Sequence, residues 1–150
     1  MPQSLAKIYI HIVFGTKNRN PFIHDMIERE LYAYIAGVLR RIDSPAMKIG
    51  GYFDHIHILC LLSRKYAISK VVEEVKKSSS KWIKTKNRDL HVFRWQNGYG
   101  AFSVSQSLLE QLEMYIGNQK KHHRKKTYQD ELKDLLRSYR VPFNEKYLWD

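Results

Sequence analysis

The chain has 150 residues, of which 43% are hydrophobic and 27% charged, a composition that suits one soluble domain with a sizeable core. A single cysteine, Cys60, excludes an internal disulfide framework and fits a reducing compartment. The apolar runs are far too short to span a membrane, and the opening "MPQSLAKIYIHIVFG" alternates and carries Lys7 and His11, unlike a secretory leader. A net charge of +11 points to a polyanionic partner, nucleic acid or an anionic surface.

No repeat, low-complexity tract or Pro/Gly-rich linker divides the chain, so it reads as one domain over 1–150. "KIYIHIVFG" (7–15) is a strand by its β-branched and aromatic content. "NPFIHDMIERELYAYIAGVLRRI" is a helix with an apolar stripe of Ile27, Leu31, Ile35, Val38 and Ile42, broken by "DSP" at 43–45. "AMKIGGYF" and "HIHILCLL" are two strands of a hairpin turning near Asp54. "AISKVVEEVKKSSSKWIKTK" is a second amphipathic helix with its stripe at Ile68, Val71, Val72, Val75, Ser79, Trp82 and Ile83. "HVFRWQNGYGAFSVS" reads as strand, glycine turn, strand. "SQSLLEQLEMYIGNQKKHH" follows as a third helix, with Ser107 and Glu110 at capping-box spacing. "TYQDELKDLLRSY" is a short last helix that ends before Pro142. This order is that of a ferredoxin-like α+β sandwich, an antiparallel sheet with helices on one face, plus C-terminal helices.

Strand alternation places His55 and His57 of "DHIHIL" on one face, where both rings can meet one metal ion. Two imidazoles are too few to hold a metal, so further ligands must come from elsewhere. On the third helix, Tyr115 and Gln119 are four residues apart, about 40° around the axis and one turn along it. Helical geometry alone favours the plainer reading, a boundary tyrosine with a solvent-facing glutamine. Asp54 is either a turn residue or a partner that orients a histidine, with the turn favoured. His11 reads as a packed core histidine. Two cationic runs stand out: "KKHHRKK" (120–126), and the lysines at 70, 76, 77, 81, 84 and 86. If both flank the chemistry they form an electrostatic groove for a nucleic-acid backbone. On charge grounds the candidate DNA contacts are Lys17, Arg19, Lys81, Arg94, Lys120, Lys121, His122, His123, Arg124, Lys125 and Lys126. His122 and His123, the latter one turn beyond Gln119, could also approach a metal, but so basic a run favours phosphate contact. Trp95, Tyr99 and Phe102 could stack on unpaired bases or fill the core.

Taken together, "DHIHIL", "WQNGYGAFSVS" and "YIGNQKKHHRKKTYQDEL", with "HIVFGTKNRNPFI" and "SSSKWI" in matching order, resemble the single-tyrosine transposases of the insertion-sequence 200/605 family, which carry a His-hydrophobic-His (HUH) motif. The resemblance covers nearly the whole chain. It implies that Tyr115 is the nucleophile and that His55, His57 and Gln119 bind a catalytic divalent metal, Mg²⁺ or Mn²⁺. It implies a nuclease core over about 5–120 with a basic helical tail over about 121–150. It also implies an intertwined homodimer, each active site joining the histidines of one subunit to the tyrosine helix of the other. The implied substrate is single-stranded DNA with hairpins, cut and rejoined through a 5′-phosphotyrosine without a nucleotide cofactor, in the cytoplasm at the nucleoid. Two other readings stay open: a non-catalytic nucleic-acid-binding module, which leaves the histidines and Tyr115–Gln119 without a joint role, and a related HUH enzyme, either a replication initiator or a domesticated repeat-associated endonuclease.

Overall fold

The computed structural model describes residues 2–150. Its centre is a four-stranded antiparallel sheet in the order β2-β3-β1-β4, built from β1 (Tyr9–Gly15), β2 (Ala46–Tyr52), β3 (His55–Leu61) and β4 (Gly100–Val104). β1 and β3 lie in the middle and pair along their full length, with Val13 opposite His57 and Gly15 opposite His55. Both read as near-continuous apolar runs because both faces of each are covered.

One face is the main core. Ile10, Ile12 and Phe14 of β1 and Ile56, Ile58 and Cys60 of β3 pack against helices α1 (Asp25–Arg41) and α2 (Ile68–Ile83). The predicted stripes are the buried ones: Ile27, Leu31, Ile35 and Val38 on α1, and Val71, Val72, Val75, Ser79 and Ile83 on α2. Ile42, Ile68 and Trp82 are only partly buried at the rim.

The opposite face carries Tyr9, His11, Val13, His55, His57, Leu59 and Phe102, and the C-terminal third of the chain covers it. Helix α3 (Leu109–Gly117) lies over β2 and β3 through Leu109 and Ile116. After a break at Asn118 comes the short helix α4 (Gln119–His122), so the predicted single helix through His123 is two. Helix α5 (Tyr128–Ser138) docks Tyr128, Leu132 and Leu136 on Val13 and Phe102. A last turn, α6 (Glu145–Leu148), brings Trp149 against Tyr128 with ring centroids 6.0 Å apart. The sheet is thus covered on both faces.

Two expectations fail locally. The segment before the glycine turn is not a strand: residues 88–92 form a 3₁₀ turn, and only Trp95 makes a single bridge, to Thr16. Trp95 is held by burial, edge-on to Phe14 and Phe93 with its indole N–H donating to Ser79 Oγ, so packing outweighs strand propensity there. The capping box at Ser107–Glu110 does not form. Ser105 and Ser107 hydrogen-bond to each other at 2.7 Å at the start of a 3₁₀ turn that precedes α3. Helix α5 is capped instead, by Thr127 Oγ1 accepting from the Asp130 N–H at 3.1 Å.

Candidate metal centre beside Tyr115

His55 and His57 are fully buried on the sheet face under the C-terminal helices. Each ring nitrogen has a partner. His55 Nδ1–H donates to Asp54 Oδ1 at 2.8 Å, so Asp54 both makes the β2–β3 turn and orients a histidine. His57 Nδ1 is 2.8 Å from Nε2 of His11 on the neighbouring strand. His11 is therefore not inert packing but the partner that fixes one tautomer of His57. A third ring, His123, donates Nδ1–H to the Lys126 carbonyl at 2.6 Å. With all three Nδ1 atoms turned outward, all three Nε2 atoms point at one spot.

That spot also receives oxygens. Glu131 Oε1 of α5 lies 2.9 Å from His57 Nε2, 3.2 Å from His123 Nε2 and 3.3 Å from His55 Nε2. Gln119 Oε1 lies 3.1 Å from His55 Nε2 and 2.8 Å from His123 Nε2. One ligand atom each from His55, His57, His123 and Glu131 falls within 4.8 Å of the others. In the tautomer that keeps the proton on Nδ1, each imidazole presents an Nε2 lone pair here, as do a carboxylate and an amide oxygen, whereas a proton on Nε2 is donated to Glu131 or Gln119 instead. Protons on Nε2 satisfy these acceptors in the absence of an ion, and a divalent ion that displaced them would find three imidazole nitrogens and two oxygens converging, a donor set that fits it.

The electrostatics follow from burial and this geometry. Burial alone raises a carboxyl pKa, but hydrogen bonds from His123, His55 and His57 outweigh it and hold Glu131 well below the usual carboxylate range. Burial pushes His57 down to about 4 despite its bond to Glu131. Burial, then His57, brings His11 down to about 3. For His55 burial is again the largest influence, but its bonds to Asp54 and Glu131 prevail and the net shift is upward. Tyr115 stands at the edge, its ring perpendicular to that of His57 at 5.7 Å and its hydroxyl donating to Glu131 Oε2. Burial, then the Glu131 charge, keeps this phenol above its ordinary pKa. Gln119 Nε2 donates to the same Oε2 at 3.1 Å.

The chain thus brings His55, His57, Gln119 and Tyr115 together within one subunit, and adds Glu131 and His123. His123 belongs to the cluster and not to the phosphate-facing surface suggested by its basic neighbours. His122 Nε2 is 3.3 Å from Glu131 Oε2 but is not oriented for a hydrogen bond. Glu131 is the residue missed from sequence. Its signal was a carboxylate on the buried stripe of α5, between Tyr128 and Leu132, in a segment otherwise read for its positive charge.

The basic residues are split. Lys120 is paired with Asp25 and Glu28, and Lys126 with Asp134. Lys121 and Arg124 are exposed beside α4, and Lys121 and Lys125 line an open cleft of about 690 Å³ that includes Tyr115. Lys17 and Arg94 belong to one loop pair, joined by the Lys17 N–H donating to the Arg94 carbonyl at 2.8 Å; Arg19 lines a neighbouring cavity with Tyr128 and Trp149. Lys81 and the other α2 lysines lie across the sheet from the imidazoles, so they cannot form the second wall of one groove with residues 120–126. Trp95 and Phe102 are buried, and only Tyr99 is exposed enough to stack on a base.

An antiparallel α+β sandwich with a buried imidazole–carboxylate centre beside a tyrosine is the class this chain defines. Residues 4–119 match the family described as "Transposase IS200 like", and the chain belongs to that family. Among solved structures it resembles one from Deinococcus radiodurans R1 assigned as a transposase, at 20% identity and TM-score 0.62, over 79% of this chain and 98% of that one. It also resembles a REP-associated tyrosine transposase bound to a REP hairpin, at 16% identity and TM-score 0.57, over 79% of this chain and 70% of that one. No curated protein sequence matches the chain. No helix among the described residues is long and apolar enough to cross a membrane.

Proposed function

We propose that this chain is a divalent-metal-dependent nuclease and strand transferase acting on single-stranded DNA that carries hairpins, with Tyr115 as nucleophile and His55, His57 and Gln119 among the metal ligands. The observation that carries the reading is the convergence of three imidazole Nε2 atoms and two side-chain oxygens next to a tyrosine hydroxyl. A non-catalytic binding module gives that convergence no purpose. The family supports strand cleavage, and the hairpin bound by the REP-associated neighbour supports the substrate.

A Mg²⁺ or Mn²⁺ ion held by this set would supply positive charge to the phosphoryl oxygens as they gain charge in the transition state. The protein's own groups do the rest. Asp54 and His11 set the ring orientations of His55 and His57. Tyr115 Oη forms the new bond to phosphorus in line, the bond from phosphorus to the 3′ oxygen breaks, and the DNA is left with a free 3′-hydroxyl and a 5′-phosphotyrosine. Glu131 Oε2, which accepts a hydrogen bond from the Tyr115 hydroxyl, orients the phenol, and the proton the phenol gives up is matched by one delivered through solvent to the departing 3′ oxygen. A phenolate leaves more easily than an alkoxide, so the linkage can be attacked by another 3′-hydroxyl and the strand rejoined. Lys121 and Lys125 in the cleft by Tyr115 counter the backbone charge of the incoming strand.

The test is a denaturing gel with end-labelled single-stranded hairpin DNA and Mn²⁺. The wild-type chain should give a covalent protein–DNA band that is absent in Tyr115→Phe and with chelator. An adduct that persists in Tyr115→Phe overturns the nucleophile, and salt-sensitive binding without cleavage on any hairpin substrate favours the binding module.

A further inference from the structure

Resting on that reading of the metal site, we infer that the C-terminal arm is part of it: Glu131 and His123 are ligands, and ion binding and docking of α5 on the sheet are one coupled equilibrium. Both residues lie beyond the span matched by the family, which ends at residue 119. They complete a set of three imidazoles and a carboxylate with Gln119 Oε1 beside it.

Glu131 is 2% exposed, and the groups around its carboxylate are His55, His57, His122, His123, Gln119 and Tyr115, with no lysine or arginine among them. Burying an anion among these rings costs free energy unless positive charge shares the site, either a proton on an imidazole Nε2 or a metal ion that replaces it. The rest of the α5 contact is small and separate from the main core: Tyr128, Leu132 and Leu136 on Val13 and Phe102, with Trp149 closing over Tyr128. Tyr128 stacks on His55 itself, ring centroids 4.3 Å apart and planes 14° from parallel, and its hydroxyl donates to Gln96 Oε1 at 3.0 Å. Helix α5 therefore touches the metal site through both a ligand and the ring that backs another ligand. Whatever stabilises the bound ion stabilises the docked arm, and the converse holds by linkage. Without α5 the site falls back to a largely neutral histidine–amide set.

The experiment measures Mn²⁺ affinity by calorimetry and amide exchange of 128–150 by mass spectrometry, on the full chain with Mn²⁺ or chelator. Mn²⁺ should slow exchange across α5 about tenfold or more in the wild type. Glu131→Gln, which keeps the size of the side chain, should lower Mn²⁺ affinity at least about tenfold and abolish that slowing. Leu136→Ala, which weakens docking without touching the site, should lower Mn²⁺ affinity several-fold through coupling alone. Unchanged affinity in both variants with ion-independent exchange in α5 overturns this inference while leaving a metal on His55 and His57 intact. A wild-type chain that binds no Mn²⁺, or binds it equally in His57→Asn, removes the underlying metal reading as well.

Discussion

His11 on β1 and His57 on β3 face each other across the centre of the sheet, Nε2 to Nδ1 at 2.8 Å with ring centroids 5.0 Å apart. The contact decides which nitrogen of His57 looks at Glu131. A metal-binding Nε2 needs its proton on Nδ1, and His11 is the acceptor in place to receive that hydrogen bond. Histidine in this role is unusual beside the carboxylate that serves His55, and burial suits it, because His11 stays neutral and can accept.

His11→Phe should therefore keep the sheet but lose the acceptor. We expect Mn²⁺ affinity and adduct yield to fall about 10- to 100-fold, with His11→Asn recovering part of the loss through its amide oxygen. Equal Mn²⁺ affinity in His11→Phe and the wild type would show that the contact is packing only.

The two lowered imidazoles make stability depend on pH in chelator. His57 is down to about 4 and His11 to about 3 in the folded state, against 6.5 unfolded, so below about 6.5 the unfolded chain binds more protons. Their contribution is complete above that pH and is lost as pH falls through the interval down to about 4 and about 3, an effect of a few kcal/mol. His55, raised in the fold, works the other way, contributing below its unfolded pKa and losing that contribution as pH rises through its folded one. Urea midpoints at pH 7.5, 6 and 5 should drop on acidification, and the drop should shrink in His11→Phe.

Gly50 lets helix α3 reach the sheet. A Cβ there would lie 2.3 Å from the Ile116 carbonyl oxygen and 2.9 Å from Ile116 Cγ2, and Tyr115 is the next residue back along that helix. Gly50→Ala should lift α3 and cost about 1–3 kcal/mol, with adduct formation falling much further than stability. Adduct formation at the wild-type rate would show that α3 adjusts without moving its tyrosine.

Lys76 holds the loop that anchors the C-terminal arm. Its Nζ donates to the carbonyls of Gln96, Asn97 and Gly98 at 2.7, 3.1 and 2.8 Å. The same loop takes Asp150 through the Asn97 N–H at 2.6 Å, and the Gln96 amide donates to the Leu148 carbonyl at 3.3 Å. Lys76→Met should leave three carbonyls without their cation, cost about 1–3 kcal/mol, and speed exchange in 145–150 more than in α1. Uniform acceleration over the chain would place Lys76 in global stability instead.

Sequence by itself determined what local rules can reach. The period of two placed His55 and His57 on one face. The period near 3.6 put Ile27, Leu31, Ile35 and Val38, then Val71, Val72 and Val75, on the buried sides of two helices. The order of elements indicated an antiparallel sheet with helices, whereas the single helix expected to carry both Tyr115 and Gln119 is broken at Asn118 between them. Only the tertiary structure decided which distant groups meet there. His11 reaches His57 across 46 residues and Glu131 reaches it across 74, and no periodicity links such positions. The same limit explains Trp95, whose strand-like neighbourhood lost to a close fit against Phe14 and Phe93, and the cationic runs, which the sheet holds apart on opposite faces. Spacing along a chain fixes direction over a few residues, because backbone geometry repeats. The composition of a buried centre is settled by which faces pack, and that is a property of the whole fold.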